Sequence, residues 1–314
     1  MTTRKLSVVS PAFNESANLD DVHQHLRAAL DGAGLDWEWI VVDDHSADDT
    51  FAVLTAIASA DPRVRGLRLS RNSGSHTAIR CAIHYAAGDA IALVASDLQD
   101  PPQVLVRMWT EWERGAQVVW AVRGARPGGA VDSKFARLYY WLMRRVAGLS
   151  LPPTGADCFL LDRVVADSLN TCRERHTSIF ALLTWLGFRQ THITYDKAGR
   201  TRGVSGWTFR KKMKLVVDSL VGFSDLPLSW LAGAAMAAML AAIVIGGRVS
   251  ADIPMGTGGL ATIVLLVAAG MFAALWAVGQ YLWRAFDEAR ARPLWAIESA
   301  TFDYGRDRGE RLDQ

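Results

Sequence analysis

Cysteine is scarce in this 314-residue chain. Cys81, Cys158 and Cys172 are scattered, with no C-x-x-C pair. That argues against a structural zinc site or a disulfide framework and fits a reducing compartment. No G-x-G-x-x-G follows a predicted strand, and no G-x-x-x-x-G-K-[ST] occurs, so neither a dinucleotide fold nor a P-loop is supported. His23 and His25 lie two apart on a predicted helix and diverge, which excludes them as a metal pair. No Ser/His/Asp arrangement stands out from spacing. The N-terminus, M-T-T-R-K-L-S-V-V-S-P, has too short an apolar run for a signal peptide and reads as a first strand. The formal net charge is only +2, and no nucleic-acid partner is expected.

Charge is also missing from two long stretches, while 50% of the chain is hydrophobic and the mean hydropathy is +0.11. Pro227–Gly247 carries no charged residue, and neither does Pro254–Trp283. As helices both reach about 30 Å, the thickness of the hydrocarbon layer. The second helix is placed from about Gly258 to Trp283. Arg248–Asp252 is a tight connection, so the two predict a transmembrane hairpin over 226–283 with both ends on one side. Arg210, Lys211, Lys212 and Lys214 precede it; Arg284, Arg290 and Arg292 follow it. The positive-inside rule puts those flanks, the N-terminal domain and a juxtamembrane tail over 284–314 in the cytoplasm, and the Ala- and Arg-rich composition points to a bacterial plasma membrane. Phe209, Met213, Val216, Leu220 and Phe223 fall on one helical face with the lysines off it. Residues 209–225 therefore read as an amphipathic helix in the headgroup layer. A helix packed on the domain's sheet is the competing reading.

The first 208 residues alternate between strand and helix patterns. Strands are expected at Leu6–Ser10, Trp37–Val42, Val64–Leu69, Ala90–Ala95 and Val118–Val122. Helices are expected up to about Leu30, over Asp48–Ala60, up to about Ala87, and over Pro102–Arg114. This is an α/β pattern with a mainly parallel sheet flanked by helices. Ser46-Ala-Asp-Asp49 has capping-box spacing for the second helix, with Asp replacing Glu. Polar clusters follow the strand ends: Asn14/Glu15, Asp43/Asp44 and Asp97/Gln99. In open α/β sheets that edge binds ligands. In V-A-S-D-L-Q-D-P-P an apolar run ends abruptly in Asp97, Gln99 and Asp100. Asp97 and Gln99 are oxygen donors two positions apart and suit a hard cation, Mg²⁺ or Mn²⁺, that could neutralise a diphosphate. A loop capping the next helix is the alternative use. Ser133–Ala147 reads as an aromatic-rich amphipathic helix. Asp157 then stands in the otherwise small or apolar run T-G-A-D-C-F-L-L-D, as a working acid or a cap.

Taken together, P-A-F-N-E-S, V-V-D-D-H-S-A-D-D-T, R-N-S-G, S-D-L-Q-D-P-P, V-R-G-A-R, G-A-D-C-F and R-T-R-G-V-S-G-W-T-F-R-K-K resemble the family-2 inverting glycosyltransferases of GT-A fold. More narrowly, with the C-terminal hairpin ending R-A-F-D-E-A-R-A-R-P, the chain is similar to the polyisoprenyl-phosphate glycosyltransferases of the dolichyl-phosphate mannose synthase type. The resemblance covers nearly the whole chain. It implies that Pro11, Phe13, Glu15, Asp44 and Arg123 hold a nucleotide sugar, with Asp97 and Gln99 on the metal. Asp157 matches the family's base or orienting acid, and Asp97 and Asp157 are the catalytic candidates. Arg123, Arg126 and Arg137 match diphosphate or lipid-phosphate contacts. Arg200, Arg202 and Ser205 belong to an R-x-x-G-x-S region near the phosphates.

Two positions depart from the family pattern. Ala95 stands where an Asp is usual, and Gly206 where a Lys is usual. The losses are opposite in sign, so the net charge of the site changes little. The implied activity is transfer of a UDP- or GDP-linked sugar to polyprenyl phosphate, with inversion, at the cytoplasmic membrane face. A catalytically weakened nucleotide-sugar-binding protein acting as regulator or anchor is the alternative. Nucleotide sugar, polyprenyl phosphate and membrane are the expected partners, and a homo-oligomer is left open. A processive polysaccharide synthase is disfavoured, since no Q-x-x-R-W motif occurs.

Overall fold

The computed structural model describes residues 4–97, 99–124, 156–175, 177–195 and 257–304, with Arg145 and parts of 229–241. Its strands are β1 (Lys5–Ala12), β2 (Asp36–Asp43), β3 (Val64–Leu69), β4 (Ala90–Leu93), β5 (Val118–Arg123), β6 (Ala156–Asp162), β7 (Gln190–Tyr195) and β8 (Ile297–Ala300). They form one sheet in the order β7-β5-β6-β4-β1-β2-β3-β8. Neighbours β1/β2, β1/β4, β2/β3 and β5/β7 are parallel; β4/β6, β5/β6 and β3/β8 are antiparallel. The expected mainly parallel α/β sheet is therefore present.

The central strands β1, β2 and β4 are apolar on both faces because both faces are covered. Along β2, Trp37, Trp39 and Val41 join one core cluster while Ile40 and Val42 join the other. This is the period-two alternation of an extended chain. Helices α1 (Leu19–Gly32), α2 (Thr50–Ala60) and α4 (Gln103–Glu113) cover the first face. Leu19, Val22, Leu26 and Leu30 of α1 recur at helical spacing and are buried there. Each such side chain contributes about 1.5–3 kcal/mol. Helices α3 (Ser75–Tyr85), α5 (Arg163–Thr171) and α6 (Ile179–Trp185) cover the second face.

Glu38 is a buried charge at the edge of the sheet where β1 and β2 begin, and it is fully occupied. It accepts from Ser7 Oγ at 2.6 Å and from the Ala87 N–H at 2.7 Å, with Arg65 and Lys5 at 3.4 and 3.6 Å. Burial would raise its pKa, but those bonds and charges outweigh it and hold the carboxyl low.

The helix α7 (Thr257–Ala289) spans 33 residues and runs past the expected end at Trp283. Leu266–Ala289 is long and apolar enough to cross a membrane, and little of it is buried. Leu266, Phe272, Leu275, Trp276 and Leu282 are all exposed. The first apolar run is described only as a shorter helix, Ser229–Ala238, so a second span and the hairpin are not established by it. The proposed helices over Ser133–Ala147 and 209–225 lie outside the described residues, apart from Arg145.

The segment after α7, expected as a juxtamembrane tail, turns back and contributes β8 to the outer edge of the sheet. Leu67 pairs with Ala300 and Leu69 with Ile297, so the segment enters beside the C-terminal end of β3. Phe302 and Tyr304 then stack edge-on against Tyr85 of α3.

Candidate active site

The topology brings the polar clusters to one sheet edge. Strands β1, β2, β4 and β5 all end there, and the antiparallel β6 begins there. The loops after β2 and β4 are bonded to the end of β1, and the loop after β1 to the loop after β2. Ser96 Oγ donates to the Pro11 carbonyl at 3.0 Å, and the Asp44 N–H donates to the Ala12 carbonyl at 2.8 Å. The Asn14 N–H donates to Ser46 Oγ at 2.9 Å, and Asn14 Oδ1 accepts from the Ala47 N–H at 3.0 Å. Asn14 and His45 hold left-handed backbones, with φ of 57° and 61°. Non-glycine residues keep such conformations where the surroundings enforce them, often at functional sites.

Pro11 lies within β1, and Phe13 follows it with 48% of its surface exposed. That aromatic face is open at the edge. Glu15 donates its N–H to Thr50 Oγ1 at 2.9 Å and accepts from Asn18 Nδ2 at 2.6 Å. Asp44 is buried. Its two oxygens accept from the Ser73 N–H at 2.7 Å and the Gly74 N–H at 2.8 Å, which fixes the R-N-S-G turn. Burial pushes its carboxyl above the usual value, and neighbouring Asp43 adds to the rise, against the two N–H bonds and His45. Gly74 has φ of 92°, a conformation in which L side chains are strained.

Asp97 and Gln99 are both partly exposed in the turn after β4, and the Gln99 N–H donates to Asp97 Oδ1 at 3.3 Å. Among the described residues no group of three or more His, Cys, Asp or Glu could hold a metal. Asp157 is the second residue of β6, and Arg123 closes β5, which pairs with β6 through Val122 and Ala156. Arg126, Arg137, Arg200, Arg202 and Ser205 lie outside the described residues.

Several residues at this edge were not anticipated. Asp100 is buried, accepting from Tyr195 Oη at 2.6 Å and from Cys158 Sγ at 3.1 Å. It therefore ties the Asp97 turn to β6 and to the end of β7. Arg68 and Glu298 were also missed. The capping box at Ser46–Asp49 does not form: α2 begins at Thr50, and its N-cap Asp49 makes no side-chain cap bond. The Ser46 hydroxyl donates to Asp43 instead, because that carboxylate is wholly buried and needs donors.

The family profile described as Glycosyl transferase family 2 matches residues 7–169. An uncharacterised glycosyltransferase of Bacillus subtilis, YkcC, is 32% identical over 94% of this chain and 93% of its own length. A bactoprenol glucosyl transferase of Shigella phage SfV is 27% identical over 94% of this chain and 98% of its own length. Among solved structures, a mycobacterial protein aligns with a TM-score of 0.51 and 24% identity, covering 70% of this chain and 74% of that one. The motifs at the sheet edge, the matched family region and the near full-length likeness agree: this chain is a glycosyltransferase and belongs to family 2.

Proposed function

We propose that this enzyme transfers a sugar from a UDP- or GDP-linked donor to the phosphate of a polyprenyl lipid, with inversion, on the cytoplasmic face of the membrane. The observation that carries the reading is the single edge to which Phe13, Glu15, Asp44, Asp97 and Gln99 are brought, with Asp157 at the start of β6. The name of the phage relative, a bactoprenol glucosyl transferase, supports a lipid acceptor. The membrane reading rests on α7 and on the two uncharged runs with their basic flanks. Seven residues lie between Ala289 and Ile297. At about 3.3–3.6 Å per residue, that keeps the end of the apolar helix within roughly 30 Å of the candidate edge.

In the proposed reaction an oxygen of the acceptor phosphate attacks the anomeric carbon. The bond from that carbon to the nucleoside diphosphate breaks, and the electron pair leaves on the diphosphate. A lipid phosphate monoester is already largely ionised at neutral pH, its second pKa being about 6, so a strong general base is unnecessary. Asp157 is assigned to orienting the acceptor. Arg123, Arg126, Arg137, Arg200, Arg202 and Ser205 are assigned to the phosphates. Phe13 is assigned to the base, and Glu15 and Asp44 to the loops around the nucleotide.

Asp97 and Gln99 offer a carboxylate and an amide oxygen, a hard donor pair that fits Mg²⁺ or Mn²⁺ once donor phosphate oxygens complete the set. Such an ion, when bound, supplies charge neutralisation at the departing diphosphate.

The test is to give membranes holding the full chain labelled sugar nucleotides and polyprenyl phosphate. An acid-labile labelled lipid that depends on divalent metal supports the reading. Absence of lipid product across UDP-glucose, UDP-GlcNAc and GDP-mannose overturns it.

A further inference from the structure

The strand contributed after the apolar helix is bonded into the donor side of the site. Glu298 of β8 accepts from Arg68 Nε at 2.9 Å. The same guanidinium donates through Nη1 to Asp43 Oδ2 at 2.9 Å and through Nη2 to the Ser46 carbonyl at 3.1 Å. Asp43 is wholly buried, and its other oxygen accepts from the Ser46 N–H at 2.9 Å and from the Ser46 hydroxyl. That hydroxyl in turn accepts from the Asn14 N–H. Glu298 also lies 3.4 Å from His45 Nδ1, which is 3.1 Å from the Leu69 carbonyl.

A continuous set of polar contacts thus runs from Glu298 through Arg68, Asp43 and Ser46 to Asn14. It ends beside Phe13 and Glu15 on one side and Asp44 on the other. The two left-handed residues of the edge, Asn14 and His45, both belong to it. Their strained backbones need bonds from outside their own loops, and Glu298 supplies the outermost of these from more than 200 residues away.

We propose that Glu298 is a positioning residue for the donor nucleotide. Acting through Arg68, it holds the loops after β1 and β2 in their binding conformation, so the segment beyond the apolar helix completes the donor side of the active site. The proposal rests on the glycosyl-transfer reading. The segment does so without touching donor, and its effect falls on donor affinity more than on the chemical step.

The test uses the full chain in lipid nanodiscs, with UDP and GDP in the presence of Mn²⁺ as probes. Binding is measured by calorimetry, alongside donor KM and kcat. Glu298→Gln weakens binding of the accepted nucleotide by about two- to fivefold, the range for a part-exposed ion pair, and raises donor KM equally while kcat holds. Glu298→Lys, which faces the Arg68 guanidinium with a like charge, weakens it by about tenfold or more. Glu298→Asp, which keeps the charge, recovers most of the affinity. Unchanged nucleotide affinity in the Gln and Lys variants overturns the proposal, as does a lowered melting temperature with unchanged affinity. A fall in kcat at constant KM overturns it too. If the wild-type chain binds neither UDP nor GDP, the glycosyl-transfer reading fails first and the proposal falls with it.

Discussion

Tyr195 and Asp100 are 95 positions apart in sequence, yet the tyrosine hydroxyl donates to the carboxylate at 2.6 Å in a buried setting. Tyr195 ends β7, and Asp100 lies three residues past Asp97, so the bond joins the turn carrying the metal candidates to the strand that leads towards Arg200. Cys158, beside Asp157, donates to the other oxygen of Asp100. Removing the hydroxyl with Tyr195→Phe takes a donor from a buried carboxylate, which costs about 1–3 kcal/mol. Denaturant unfolding checks that cost. Turnover should fall by more than the loss of folded protein explains, because the Asp97 turn loses its anchor.

The R-N-S-G turn is held through Asp44 and through the backbone freedom of Gly74. Gly74→Ala forces an L side chain into φ of 92°, at about 1–3 kcal/mol of strain. A lower melting temperature and weaker UDP or GDP binding are expected together. Space is not the cause, since nothing lies within 4 Å of a Cβ added there.

Asp97→Ala removes the carboxylate from the donor pair at the end of β4. If it supports charge on the departing diphosphate, turnover falls by about 100-fold or more, and excess Mn²⁺ does not restore it. Turnover and metal titration of the purified chain decide this.

Ala95→Asp and Gly206→Lys restore the two charges usual in the family. Together they should raise metal affinity and turnover, read as a lower Mn²⁺ concentration at half-maximal rate. No change in either quantity refutes the idea that these two positions limit the enzyme.

His76, near the start of α3, has a buried Nδ1 with no hydrogen-bond partner, and burial lowers its pKa to about 4. The unfolded chain takes up this proton near pH 6.5, its ordinary value, but the folded chain only near pH 4. Stability contributed by the neutral ring is therefore present above about pH 6.5 and lost as pH falls towards 4, by on the order of 3 kcal/mol. His76→Gln should flatten stability across that window. Asp61 behaves differently: a hydrogen bond from Arg63 holds its carboxyl well below the usual range. Its contribution disappears only below about pH 4, the ordinary value for an unfolded Asp.

Five strands were legible because each carries a run of buried apolar residues closed by polar ones; β3 matches its expected bounds, Val64–Leu69. The edge holding Asn14, Asp44 and Asp97 was legible for the same reason. Three strands were not. In β7, only Ile193 and Tyr195 are buried, a short period-two signal inside a polar stretch. In β6, Asp157 interrupts the apolar run, and an isolated acid hides the strand pattern. In β8, I-E-S-A has four residues and little apolar character, and its partner lies about 230 positions earlier. Pairing at that distance leaves no local trace. Asp100 follows Asp97 and Gln99 in sequence with nothing to set it apart, and only the packing shows that it faces inward.

The return of the chain after α7 also bears on how the enzyme can be handled. Strand β8 covers the outer side of β3, where Ser70 and Gly66 bond to Ala296 and Thr301 as well. A version trimmed at the apolar helix to obtain a water-soluble catalytic half would uncover the N–H and C=O groups of Val64–Leu69. An open sheet border of that kind recruits a strand from another molecule. Such a fragment is expected to self-associate as its concentration rises, whereas one carrying 290–304 on a short linker should stay monodisperse.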